Sequence, residues 1–154
     1  MIAGKNSVLS KVEVFLLIAG SKSKYLSESL PFPNRQLGHL KDNITLALAY
    51  QAADIFVCPS TEDAGPIMIP ESMLCATPVV AFNTGGAPDL VKTMKTGYLA
   101  VYKDSFDLAK GIYAVLTTNN LSTISTAAHE VAVRKHSPSV VAARYLELNK
   151  RIKS

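Results

Sequence analysis

Cysteine is scarce in this 154-residue chain. Two thiols, Cys58 and Cys75, do not make a disulfide framework. Each stands in apolar surroundings (Phe56-Val57-Cys58 and Met73-Leu74-Cys75), so each reads as a small buried hydrophobe in a protein suited to a reducing cytoplasm. Long apolar runs are missing as well. The longest, Val14 to Ala19, falls far short of the roughly 20 residues a membrane span needs, and no signal peptide is read at the start. Repeats, low-complexity tracts and Pro/Ser-rich linkers are absent. His39, His129 and His136 lack metal-ligand spacing, so no metal site is expected. There is no Gly-x-Gly-x-x-Gly or P-loop pattern, and Ser60 lacks a Gly-x-Ser-x-Gly elbow. The formal net charge of +4 is dispersed, with a mild concentration at Lys150, Arg151 and Lys153. That excess suits anionic ligands or membrane surfaces and gives no nucleic-acid footprint.

What is present is a core. Apolar residues make up 48% of the chain, and its length fits one domain that buries roughly two thirds of its unfolded surface. Apolar, β-branched-rich runs alternate with helical periodicity. Val12 to Ala19 reads as a strand buried on both faces and ends at Gly20. Arg35 to Leu37 is a short strand stopped by Gly38. Asp42 can cap a helix carrying Ile44, Leu48 and Ala52. Further strands are expected at Ile55 to Cys58, Pro78 to Phe82 and Tyr98 to Val101, with helices over Pro66 to Ala76 and Pro88 to Val91. Three closing helices carry the stripes Phe106/Ala109/Ile112/Tyr113/Leu116, Ile124/Ala128/Val131 and Val141/Tyr145/Leu148/Ile152, read as packing surfaces. Ser137-Pro138 suits the start of the last. Such alternation predicts a Rossmann-like, mostly parallel sheet with helices on both faces, whose ligands bind at the carboxyl ends of the strands.

The stretch from Ala53 to Asp89 carries the most chemistry. It reads strand, acidic loop, helix, strand, Gly-Gly loop. Glu62-Asp63-Ala64-Gly65 lead into a helix start, where free N–H groups and the helix dipole suit a phosphate or pyrophosphate. Gly65 lets the backbone approach closely, and Pro66 fits the first helical position. Asp63 and Glu71 stand eight residues apart and can face one crevice, where carboxylates accept hydrogen bonds from sugar hydroxyls. Hydroxyls beside a diphosphate describe a nucleotide-sugar. Solvated surface acids are the bland alternative.

The same stretch resembles the signature of the group 1, family 4, glycosyltransferases, which have the two-domain GT-B fold. The pattern is an acid, seven residues, then Glu; here it is Asp63, then Glu71-Ser72-Met73-Leu74-Cys75-Ala76-Thr77-Pro78-Val79-Val80, then Gly85-Gly86-Ala87-Pro88-Asp89. Thr96-Gly97-Tyr98-Leu99-Ala100, Gln36-Leu37-Gly38-His39-Leu40 and Ala52-Ala53-Asp54-Ile55-Phe56-Val57 are similar to further family segments, so the likeness runs over roughly residues 12 to 117. It implies that residues 1–154 are a single nucleotide-sugar-binding domain, the C-terminal half of GT-B. Glu71 is then the ribose ligand and Asp63 meets the transferred sugar. Backbone N–H groups of Gly65, Pro66-Ile67 and their neighbours meet the diphosphate. Leu37 and Gly38 lie beside the base, and Gly85-Gly86 form the opposing loop.

Two departures stand out. Asp63 replaces the usual Glu, with Glu62 beside it; Ala76 replaces a Gly, at a cost of about 1 kcal/mol if that position needs positive φ. The family's Gly-Arg segment and its Lys, which neutralise the diphosphate, are not supplied by Met1 to Lys11. Lys22 and Lys24 are the nearest cations and read as solvated. An N-terminal acceptor-binding domain is also missing. The resemblance therefore implies the donor half of a retaining transferase acting in bacterial surface-polysaccharide (O-antigen, capsule or lipopolysaccharide) synthesis. It implies no cofactor and no metal, with UDP-sugars favoured as donor and no turnover by the isolated chain. The absence of an Asp-x-Asp pair disfavours a metal-dependent transferase of the other fold. The expected location is cytoplasmic, compatible with peripheral association of the parent with the inner face of the membrane. Two rivals stay open: a non-catalytic nucleotide-sugar-binding module, and a fragment of a GT-B nucleotide-sugar 2-epimerase.

Overall fold

A computed structural model describes residues 12–22, 24–62 and 65–153. Asp63 and the Met1 to Lys11 stretch lie outside the described residues. Among the described residues, five strands run β1 (Leu16–Ala19), β2 (Asn34–Gly38), β3 (Phe56–Cys58), β4 (Val79–Phe82) and β5 (Gly97–Ala100). The described residues also form seven helices, which alternate with and follow the strands: α1 (Lys24–Ser29), α2 (Asn43–Gln51), α3 (Met68–Leu74), α4 (Ala87–Leu90), α5 (Ser105–Leu116), α6 (Leu121–His136) and α7 (Pro138–Lys153). Every ladder is parallel, as the alternation predicts. The strands form two sheets, β1-β2 and β3-β4-β5.

The core lies on β4, whose four residues are all buried. Val79 and Ala81 join a cluster with Ile69 and Met73 of α3, Ala87 and Leu90 of α4, and Ala128 and Ala132 of α6. Alternation along the strand sends Val80 and Phe82 to the opposite face. Tyr98 pairs in register with Val80, and a side chain on Gly111 of α5 would collide with the Tyr98 ring. So α3, α4 and α6 cover one face of this sheet and α5 covers the other. Gly97 has φ +152° and a Cβ there would lie 1.9 Å from the Val79 carbonyl oxygen, so only glycine brings β5 this close to β4. Asp107 of α5 fastens the far end of β5, accepting from the Tyr98 hydroxyl at 2.9 Å and the Val101 N–H at 2.8 Å. The Val101 bond is the main reason its carboxyl titrates below the usual range.

The turn from α3 into β4 is closed by backbone geometry. Ala76 sits at φ +60°, its N–H reaches the Met73 carbonyl at 3.0 Å, and the Thr77 N–H reaches the Ser72 carbonyl at 3.0 Å. This pair of bonds is a Schellman cap. Ser72 and Thr77 are both buried; the Ser72 hydroxyl donates to the Thr77 carbonyl at 2.9 Å, and the Thr77 hydroxyl donates to the Tyr50 carbonyl at 2.8 Å. The family's Gly position does adopt the left-handed region, so the Ala76 departure is a strained residue in an intact turn.

Several sequence expectations are corrected. The first strand is Leu16–Ala19 rather than Val12 to Ala19, and it is not buried on both faces: Phe15 is 59% exposed and Leu17 37%. Among the described residues it has a ladder on one edge only, and alternate residues point to water. In α2, Asp42 caps as expected by accepting from the Thr45 N–H, but Ile44 and Leu48 of its apolar row are exposed. Phe106, at the solvent end of α5, is 87% exposed, whereas Gly111 and Val115 are the buried positions. The α6 stripe packs as read. The α7 stripe does not: Tyr145, Leu148 and Ile152 are exposed, because α7 packs chiefly on α6. Helix α1 was not expected from the sequence. Cys58 is buried, but Cys75, just past the end of α3, is half-buried; both are free thiols.

Candidate functional site

The carboxyl ends of β3 and β4 open into one small cavity. Cys58, Ser60, Pro66, Ile69, Ala81, Phe82, Thr84 and Ala87 line it. The Tyr102 hydroxyl, from the loop after β5, donates to the Thr61 carbonyl at 3.1 Å and ties that loop to the acidic one. The Lys103 ammonium lies 5.0 Å over the Tyr102 ring.

Helix α3 starts at Met68, with Ile67 as its N-cap, so Pro66 is not the first helical residue. Its buried ring precedes the cap, and its carbonyl accepts from the Ile69 N–H at 3.1 Å. That short turn delays the helix by two residues. Pro70 falls in the first turn, where no N–H is needed. The N–H groups of Ile67 and Met68 carry no hydrogen bond among the described residues. Gly65 and Ile67 are exposed beside them.

Glu71 lies in the first turn of α3 and is half-buried. Its Oε2 accepts from the Tyr50 hydroxyl of α2 at 3.3 Å. No cation pairs with it among the described residues. Tyr50 is 9% exposed and stands edge-on to Phe56 of β3, with ring centroids 5.4 Å apart at 90°. Burial first, and the Glu71 charge second, push its phenol well above the usual range, so Tyr50 stays a proton donor. Glu62 is exposed. Nothing local in the sequence pointed to Tyr50, which precedes its partner by 21 residues.

The Gly85-Gly86 turn follows Thr84 at the rim of the cavity: Gly85 has φ +51°, and Gly86 is the N-cap of α4. The fold therefore brings Pro66, the start of α3 and the Gly85-Gly86 turn together. Leu37 and Gly38 end β2 in the other sheet, where the Gly20 N–H reaches the Gly38 carbonyl at 2.9 Å. Gly38 is buried at φ +75°, and a Cβ there would meet Lys22 Cε at 2.8 Å. Lys22 thus lays its carbon chain over Gly38, while Lys24 pairs loosely with Glu28 in solvent.

Residues 4–129 match the family model described as glycosyl transferases group 1. The chain belongs to the group 1 glycosyltransferases. Its fold is that of the C-terminal domain of their GT-B architecture. Anabaena Alr3699/HepE, solved in complex with UDP-glucose, is 26% identical with a TM-score of 0.72, over 88% of this chain and 40% of that one. A glycosyltransferase from Rickettsia africae superposes with a TM-score of 0.78 at 24% identity, over 96% of this chain and 43% of that one. Among curated relatives, the Campylobacter jejuni N,N'-diacetylbacillosaminyl-diphospho-undecaprenol alpha-1,3-N-acetylgalactosaminyltransferase is 27% identical over 90% of this chain. The D-inositol 3-phosphate glycosyltransferase of Geodermatophilus obscurus is 36% identical over 54%. The matches span 37% and 19% of the lengths of these two relatives. Among the described residues of this group 1 chain, no helix is long and apolar enough to cross a membrane.

Proposed function

We propose that this chain is the donor-binding domain of a retaining, metal-independent glycosyltransferase that uses a nucleotide-sugar, UDP-sugars first. The observation that carries the reading is Glu71. The group 1 spacing singles it out, and its half-buried carboxylate has one neutral donor and no cation among the described residues. Such a group is an acceptor for hydroxyl donors. In this reading Glu71 binds the ribose diol, the N–H groups from Gly65 to Ile67 meet the diphosphate with Pro66 setting their path, and Asp63 meets the sugar. Leu37 and Gly38 flank the base, and Gly85-Gly86 close the opposite rim.

In the parent reaction the bond from the sugar C1 to the diphosphate oxygen breaks, and a bond from C1 to the acceptor oxygen forms on the same face. The acceptor proton passes to the departing phosphate. The protein's share is positioning and charge stabilisation. An N-terminal acceptor-binding domain completes the site, and this chain by itself binds donor without transferring sugar. The lipid-linked acceptor in the name of the Campylobacter relative supports bacterial surface-glycan synthesis at the inner face of the cytoplasmic membrane.

The test is calorimetric titration of the 154-residue chain with UDP and UDP-glucose. Glu71→Ala weakens binding about ten- to a hundredfold. Glu62→Ala, exposed and one residue out of register, changes it less than about threefold. Equal losses remove the reason for placing the site here.

A further inference from the structure

We infer that Tyr50 is a positioning residue for Glu71: its hydroxyl holds one carboxylate oxygen so that the other is presented to a ribose diol. The inference rests on Glu71 being the ribose ligand. A glutamate side chain has three torsions, and freezing them on binding costs affinity unless something holds them beforehand. The Tyr50 hydroxyl is the one partner the Glu71 side chain has among the described residues, at 3.3 Å on Oε2. Oε1 keeps its full acceptor capacity.

Tyr50 is itself held through its ring and its carbonyl. Its ring is 9% exposed and stands edge-on to Phe56 of β3. Its carbonyl accepts from the buried Thr77 hydroxyl. Thr77 in turn belongs to the cap that ends α3, and Glu71 stands at the start of that same helix. The carboxylate is therefore referenced to the central sheet through one phenol rather than left to its own rotamers. A hydroxyl anchor, unlike a lysine, fixes direction without neutralising the charge that accepts the ribose protons.

The probes are UDP and 2′-deoxy-UDP, which differ by one ribose hydroxyl. The native chain prefers UDP. Tyr50→Phe keeps ring and packing, and should lower UDP affinity about three- to tenfold, the scale of one hydrogen bond. It should narrow the UDP preference while leaving the melting temperature within a degree or two. In a Glu71→Ala background, Tyr50→Phe should change neither affinity nor preference by more than about twofold. A purely structural phenol would lower the melting temperature and weaken both ligands alike. If Tyr50→Phe retains the native UDP preference while Glu71→Ala abolishes it, the positioning role is wrong and the site stands. If Glu71→Ala leaves UDP binding unchanged, the site reading fails and this inference falls with it. Should Tyr50→Phe prove unstable, 3-fluorotyrosine at position 50 in the native chain gives a fluorine resonance. UDP should shift it more than 2′-deoxy-UDP does, and equal shifts overturn the role.

Discussion

Replacing Ala76 by glycine should stabilise the chain, against the usual rule that glycine costs stability. Ala76 is locked at φ +60° by the two bonds of the α3 cap. For an alanine that conformation costs about 1–2 kcal/mol, because Cβ crowds the following carbonyl. Ala76→Gly removes the clash but frees the unfolded chain, which offsets about 0.4–1 kcal/mol. The net is about 0.5–1 kcal/mol in favour of glycine. For a chain of this length that raises the melting temperature about 1–4 °C. The side chain is exposed, so no packing is lost. Urea unfolding should show a higher midpoint at unchanged slope. Ala142→Gly, on the exposed face of α7, is the control of opposite sign and should cost about 1 kcal/mol. Nucleotide affinity should not change in either variant. If Ala76→Gly is as destabilising as Ala142→Gly, the strain argument for this turn is refuted.

Gly97→Ala drives a methyl into the Val79 carbonyl and should cost at least about 3 kcal/mol, read by urea unfolding; a loss under 1 kcal/mol would show that β5 can retreat from β4. Asp107 titrates below its unfolded value, so its stabilisation is present above the unfolded pKa near 4 and is lost as pH falls through the folded one. Asp107→Asn should therefore cost about 1 kcal/mol at pH 7 and progressively less as pH falls through the lowered folded pKa, followed by thermal melts over an acid series. A cost that does not change with pH would deny the carboxylate its role.

Much of the fold was legible because parallel strands buried between helices announce themselves. Phe56–Cys58 and Val79–Phe82 fall inside the expected strands, and Gly97–Ala100 starts one residue before the expected Tyr98 to Val101. Helix faces were harder to read. Periodicity marks an apolar stripe on α7 but does not say that a partner covers it, and Tyr145 and Ile152 are in water. At the candidate site, spacing pointed to Glu71 and the Gly85-Gly86 turn because both lie on one continuous stretch. It placed Pro66 too far into the helix, since a proline before a cap and one at the first helical position look alike in a sequence. Tyr50 was invisible because its link to Glu71 exists only where α2 and α3 meet.

The division of the described strands into two ladders gives the proposed site two halves that open at different free energies. Gly85-Gly86 follow β4, which has a strand on each edge and a helix layer on each face, and the start of α3 follows β3, its ladder partner; the amide protons of β4 should be among the last to exchange with solvent. Leu37 and Gly38 hang from a two-stranded ladder with one wet face, and theirs should exchange far sooner. A ligand that bridges both halves would slow exchange mainly on the weaker one. Protection gained on adding nucleotide should therefore concentrate at β1 and β2, away from the residues proposed to meet the diphosphate.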